Sequence, residues 1–413
     1  MLSAACLLVA IVPAGVQLEG AARLRTETSA GVVPVSEEES LTALDVSFHP
    51  GITGALVFNR GRLAADYEVD LVRRFPHRSA PSRPIVFQSL RLDYTEVISR
   101  QWSIAAGVGA GLGELDYDDA TLLFRSGTLG ADGTVSGSTP LSPVIEALRS
   151  DAGLRFAYRP TRKASFDLAL TAALSEPRGE VESFSATQSL ALEFGWRHQV
   201  TRADRLGLSL MARVDRSKSP VPTVVGGAGA EADASSAATL RFESITTALA
   251  WDRRVGRMAT LEASGGLGLV TERLAAPSLG PFMDVGTVLH LVRRRRHGLD
   301  WRASVGVDAF FDPVLGTIER RFTARAGVEY RLGALVTAGL SGAFATPLEG
   351  VDRGDDRTYL AGELPISIRL TDAVVLDGGA RVSARAPHLG SSNFRFRQLL
   401  AEAYAAVTAT LPF

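Results

Sequence analysis

The chain has 413 residues, with 44 Lys plus Arg against 45 Asp plus Glu, a net charge of −1 and one cysteine. Near-neutral charge leaves no global positive field for nucleic acid, and a lone cysteine excludes a disulfide framework or a thiolate metal centre. Hydrophobic residues at 46% and charged residues at 22% mark an ordered protein rather than a disordered one.

At the start, the run LSAACLLVAIVPAGV from Leu2 to Val16 has the length of a signal-peptide core and is too short for a membrane-spanning helix. Residues 1–18 read as an export signal, with Cys6 inside its core, and residues 19–39 as a short segment ahead of the first folded element. From residue 40 onward the pattern has a period of two. In LAADYEVDL, Leu63, Ala65, Tyr67, Val69 and Leu71 share one strand face, while Asp66, Glu68 and Asp70 share the other. In QWSIAAGVGAGL, Trp102, Ile104, Val108 and Leu112 oppose the small residues Ser103, Gly107, Gly109 and Gly111. The same sorting returns in ATQSLALEFGW, DWRASVGVDAFF and VVLDGGARVSAR.

About eighteen such segments run from 40–48 and 52–58 through 238–250 and 374–385 to 398–413. The connections alternate. NRGR, ISR, RPTRK, HQVTRAD, WDRRVGR, RRRHG, RLG and TDA are short, and those between them, such as 73–85, 115–150 and 215–237, are mostly long. Only HPG at 49–51 breaks the alternation, and setting aside 40–48 and 52–58 leaves sixteen segments with the same parity. Tight turns at one end of a sheet and long loops at the other predict an all-β, single antiparallel transmembrane barrel of about 16–18 strands over residues 40–413. Closure also removes the sheet edges that hydrocarbon cannot solvate.

The chain resembles the bacterial outer-membrane β-barrel class at its last residue, Phe413, which ends the alternating segment AAVTATLPF with Leu411, Ala409 and Val407 on its face. The resemblance implies export to the outer membrane of a Gram-negative-type cell and recognition of Phe413 by the barrel-assembly machinery. It also places residues 19–39 in the periplasm, with the short turns there and the long loops outside. Trp102, Trp196, Trp251 and Trp301 all fall beside short turns, at one level, as interfacial indoles do. The arginines of the short turns, Arg100, Arg162 and Arg202 among them, suit anionic headgroups of outer-membrane lipids.

The polar faces carry both signs of charge, and Arg91, Asp93, Arg241, Glu243, Asp284, His290, Arg381 and Arg385 are candidate lumen-lining residues. A barrel of this size is wide enough for an aqueous channel, and mixed charges on its wall suit passive diffusion of small polar solutes or ions. The alternatives are a structural or surface-interaction barrel with a blocked lumen, and a channel for apolar substrates. Segment SPVIEALRS, with Ser142 as cap and Pro143 in the first turn, predicts a short helix at the end of loop 115–150, which could fold inward as a constriction. Enzymatic chemistry finds no support. His290 has Asp284 six residues before it on the same strand, about 20 Å away, and no phosphate loop, metalloprotease or calcium-loop motif occurs. No cofactor is expected.

Overall fold

The structure is a computed structural model that describes residues 16–34, 40–75, 84–116, 144–178, 186–218, 239–256, 258–272, 278–294, 297–312, 317–348, 358–386 and 397–413. Its strands are β1 Gln17–Pro34, β2 Ser40–Phe58, β3 Gly61–Phe75, β4 Ile85–Val97, β5 Trp102–Asp116 and β6 Val144–Tyr158. They continue as β7 Ala164–Arg178, β8 Ala186–Gln199, β9 Asp204–Lys218, β10 Thr239–Val255, β11 Ala259–Glu272 and β12 Ser278–Arg294. The last are β13 His297–Asp312, β14 Thr317–Leu332, β15 Val336–Pro347, β16 Thr358–Arg369, β17 Val374–Ala386 and β18 Arg397–Pro412. Each strand pairs antiparallel with its sequence neighbours, and β18 pairs back onto β1, so the 18-stranded sheet closes into a barrel.

The period of two decides which way each wall residue points. On β18, Glu402, Tyr404 and Ala406 are buried while Ala401, Ala403, Ala405 and Val407 are exposed. On the outer face, Phe194 and Trp196 of β8 lie opposite Leu210 and Leu208 of β9, Leu190 and Leu192 extend that face along β8, and Ile245 and Leu249 of β10 continue the apolar band. At the short-turn end this band becomes aromatic. Trp102 stacks on Tyr158 at 4.2 Å, Tyr158 on Phe166 at 6.1 Å, and Trp196 on His198 at 5.9 Å. Trp251 and Trp301 take register positions opposite Leu206 and Val328 on the same face.

Four short turns share one chemistry. The side-chain oxygens of Ser99, Thr161, Thr201 and Thr371 each accept N–H groups two and three residues on, as in Thr201 Oγ1 accepting from Ala203 and Asp204 at 3.1 and 2.9 Å. Such hydroxyl turns satisfy the amides that leave the ladder and set the chain direction for the next strand. Arg100, Arg162 and Arg202 follow the hydroxyl residue directly and are exposed. In two tighter turns Gly256 and Gly333 have φ of 65° and 61°, a conformation that costs a β-carbon residue.

The strand count of 18 arises differently from the sequence expectation. Residues expected to form a periplasmic segment, 19–39, instead supply most of β1, and Gln17 and Leu18 belong to that strand rather than to the signal. Residues 1–15, where the rest of the expected signal falls, lie outside the described residues. The separate segments 40–48 and 52–58 are one strand, because HPG at 49–51 continues β2. Pro50 sits opposite Leu24 of β1 on the outer face, where a missing N–H is tolerated at the cost of one ladder bond. The expected helix SPVIEALRS is also corrected: from Val144 it is strand, paired residue for residue with Leu112 to Asp116 through Leu148. Cross-strand pairing outweighs local helix propensity there. Residues 117–143, which carry the constriction expectation, lie outside the described residues.

Candidate functional site: the charged inner wall

Inward positions are polar or small almost all the way round, and the charges among them form pairs that bridge neighbouring strands. The first cluster sits on β4 to β6. Arg91 Nε donates to Asp93 at 2.9 Å, and its Nη1 donates to Asp151, two strands away, at 3.3 Å. Register explains the reach: Arg91 faces Gly109 on β5, and Gly109 faces Asp151 on β6. A β-carbon at Gly109 would stand 2.4 Å from Asp151 Oδ1, and one at Gly107 would stand 2.7 Å from Asp93 Oδ1. The glycines of GVGAGLG thus leave room for charges to lie across β5.

The same construction recurs on β1 to β3. Arg23, Gly51 and Glu68 are aligned across three strands, and Arg23 Nη2 donates to Glu68 Oε2 at 2.6 Å over the glycine. Toward the long-loop end, Arg74 grips Asp45 with Nη2 and Nε at 3.0 and 3.1 Å, both residues buried. A two-point guanidinium–carboxylate contact of this kind fixes geometry as well as charge.

A third cluster occupies β16 to β18. Arg381 donates to Glu363 at 3.1 Å, lies 3.9 Å from Glu402, and stacks its guanidinium 4.1 Å over the ring of Tyr404. The Tyr404 hydroxyl donates to the same Glu363 oxygen at 3.3 Å. Tyr404 lies one residue off the apolar face of β18 because it belongs inside, beside Gly379, where a β-carbon would meet the Leu364 carbonyl at 2.4 Å and the Tyr404 hydroxyl at 2.9 Å. A fourth joins β12 to β14: His290 Nδ1 contacts Asp300 at 2.5 Å, and Arg331 donates to Asp300 and to Glu329, both at 2.6 Å.

Of the residues singled out from sequence, Arg91 and Asp93 meet in one cluster, and Arg381 and His290 each join another. His290 finds its acid on the neighbouring strand, at Asp300, rather than at Asp284. Asp284 and Arg385 occupy register positions opposite Gly306 and Tyr359, and their side chains are outside the description. Arg241 and Glu243 are a correction: they share the exposed outer face with Ile245 and Leu249, where they pair with each other at 2.5 Å. In TLRFESITTALAW, Leu240 and Phe242 are apolar on one parity, whereas Ile245, Leu249 and Trp251 are apolar on the other. The alternation changes hands inside the strand, so its first half suggests the wrong face.

His49 is a second correction. Read with Pro50 and Gly51 as a turn, it lies within β2 and faces the interior, with Nδ1 2.5 Å from Asp70 and Nε2 2.8 Å from Ser47 Oγ. Sequence reasoning missed the partners Asp300, Glu363, Glu402 and Asp151 as members of clusters, because cross-strand register is invisible without the pairing. An inward glycine between two charged strands was the available signal.

No family model matches the chain, and no curated protein matches it in sequence. Solved structures do. The FrpB iron transporter of Neisseria meningitidis, F5-1 variant apoprotein, has a TM-score of 0.56 at 8% identity, covering 95% of this chain and 81% of that one. A mutant of the ferric enterobactin receptor PfeA of Pseudomonas aeruginosa has a TM-score of 0.50 at 7% identity, with coverage of 95% and 80%. OccAB4 of Acinetobacter baumannii matches at a TM-score of 0.48 and 9% identity over 96% and 98% of the two chains. At such identities the likeness is one of fold: the chain has the architecture of bacterial outer-membrane β-barrels.

Proposed function

We propose that this barrel sits in the outer membrane of a Gram-negative-type bacterium and passes small polar solutes or ions by passive diffusion. The observation that carries the reading is the Arg91 cluster, whose Arg91, Asp93 and Asp151 side chains remain 55%, 43% and 55% exposed on the inner face. A wall that holds charges of both signs accessible to water lowers the cost of bringing an ion or a polar solute through. The apolar outer band and the ring of Trp102, Tyr158, Phe166 and Trp196 suit lipid and its interface. The exposed Arg100, Arg162 and Arg202 then face anionic headgroups on the periplasmic side. Phe413, at the end of the closing strand and 72% exposed, is offered to the assembly machinery.

Reconstitution of the folded barrel into planar bilayers tests this. Stepwise ohmic conductance is the expected result. A barrel that is folded by its heat-dependent gel mobility yet never conducts would replace this reading with a blocked barrel that serves through its surface.

A further inference from the structure

His49, Glu68 and Asp70 converge on the inner wall, each presenting one donor atom, with all three atoms within 4.8 Å of one another. They come from two strands. Glu68 and Asp70 are successive inward residues of β3, and His49 lies across from them between the register pairs Phe48–Leu71 and Gly51–Glu68. No local motif could announce the group, since its members are 19 and 21 positions from the histidine in sequence. We propose that these three side chains form a binding site for a borderline divalent transition-metal ion, of which Zn²⁺ is the convenient probe.

The donor chemistry selects that class. One imidazole nitrogen with two carboxylates suits zinc and its first-row neighbours, whereas calcium and magnesium prefer all-oxygen shells. Metal–donor bonds of about 2.0 to 2.2 Å set the donors of a tetrahedral ion roughly 3.3 to 3.6 Å apart, so small side-chain rotations close the group onto a metal.

The surroundings fit as well. The Ser47 hydroxyl donates to the Glu27 carbonyl at 3.4 Å and can accept the His49 Nε2–H, which leaves Nδ1 directed at Asp70. Holding the second ring nitrogen in this way is how metal-ligating histidines are oriented. A metal ion binds the deprotonated Nδ1, so any proton that nitrogen shares with Asp70 is released to solvent on binding.

Charge points the same way. Asp66, Glu68 and Asp70 are three carboxylates in consecutive inward positions, about 6 to 7 Å apart; among the described residues Arg23 bonds to Glu68, and Arg25, opposite His49 in register, is held by Glu27 at 2.7 Å. Arg91, opposite Asp66 in register, turns away to Asp93 and Asp151. Asp66 keeps a buried Oδ1 with no hydrogen-bond partner, so the wall here is short of positive charge. The site rests on wall geometry alone and stands whether or not the barrel conducts.

The full-length barrel, refolded in detergent and stripped with a chelator, is titrated with Zn²⁺ by calorimetry, and Co²⁺ is added separately to read the ligand field. One ion per barrel is expected, with a Co²⁺ spectrum of mixed nitrogen and oxygen ligation. His49→Gln and the double variant Glu68→Gln/Asp70→Asn should each weaken binding by at least about a hundredfold. Arg23→Gln should tighten it several-fold by releasing Glu68, and His198→Gln, at the far end of β8, should leave it unchanged. Each variant is first shown to fold by heat-dependent gel mobility. Zinc binding of unaltered affinity in folded His49→Gln overturns the proposal, as does a parent barrel that binds no ion.

Discussion

Two of the inner wall's arginines, Arg91 and Arg381, organise their surroundings in opposite ways. Arg91 and Arg381 each stand between two carboxylates, Arg91 opposite Gly109 of β5 and Arg381 two residues from Gly379 on β17, yet the first cluster is open and the second is covered on all but its Glu363 side, which is 39% exposed. Arg91, Asp93 and Asp151 are all more than 40% exposed, whereas Arg381 is 20% and Glu402 only 7% exposed. The difference is Tyr404, which fills the space beside Gly379 and covers the guanidinium; across β5 the corresponding glycines are filled by the acids themselves. An ion pair that water reaches contributes little to stability and remains available to a solute. One that is sealed by a ring is a fastening, and removing one partner strands the other.

The two clusters differ most at Arg381. Arg381→Ala leaves Glu402 buried without its cation and should cost about 3 kcal/mol, read from urea-dependent folding into lipid vesicles. Arg91→Ala should cost under about 1 kcal/mol in the same assay. Next in size, Gly379→Ala should lose roughly 1 to 3 kcal/mol because its β-carbon meets a backbone carbonyl. Gly109→Ala meets only the movable end of Asp151 and should lose less than half as much.

Function should invert the order. Arg91→Glu is expected to shift the reversal potential of a reconstituted channel toward cations, several-fold in permeability ratio, while Arg381→Gln at a permissive temperature changes it less. Equal shifts would mean that both clusters are equally open to the permeating solute. The smallest effect sharpens the register: Arg241→Glu, on the outer face, should leave selectivity unchanged, and a cation shift there would place that side chain inside after all.

How much of this was legible in the sequence depends on how far each feature reaches. The closed antiparallel sheet and the tryptophans gathered beside short turns follow from alternation within single segments, and those expectations hold. β1 escaped because its outward positions dilute Leu18, Leu24 and Val32 with Gly20, Ala22, Thr26 and Thr28, which blurs the lipid face, although Arg23, Arg25 and Glu27 alternate clearly on the other. His49 escaped because Pro50 and Gly51 carry a turn's composition without making a turn. The clusters were half visible: polar faces could be drawn strand by strand, but that Arg91 meets Asp151 and Arg381 meets Glu402 is a property of register between strands.

The seam where β18 meets β1 is unlike every other ladder of the sheet, because it joins strands from opposite ends of the chain's fold. The Phe413 N–H donates to the Gly20 carbonyl at 2.9 Å, and its ring lies where any side chain at position 20 would collide. All other ladders join segments that are neighbours in the chain and can form as hairpins while synthesis or insertion proceeds; this one joins residues almost the whole sequence apart, the slowest kind of contact to find. Until β18 pairs with β1, two raw edges persist, which an apolar medium penalises and which invite pairing with another chain. A chain that lacks β18 therefore stays an open sheet, with the edges of β1 and β17 left for a protease or another chain to find.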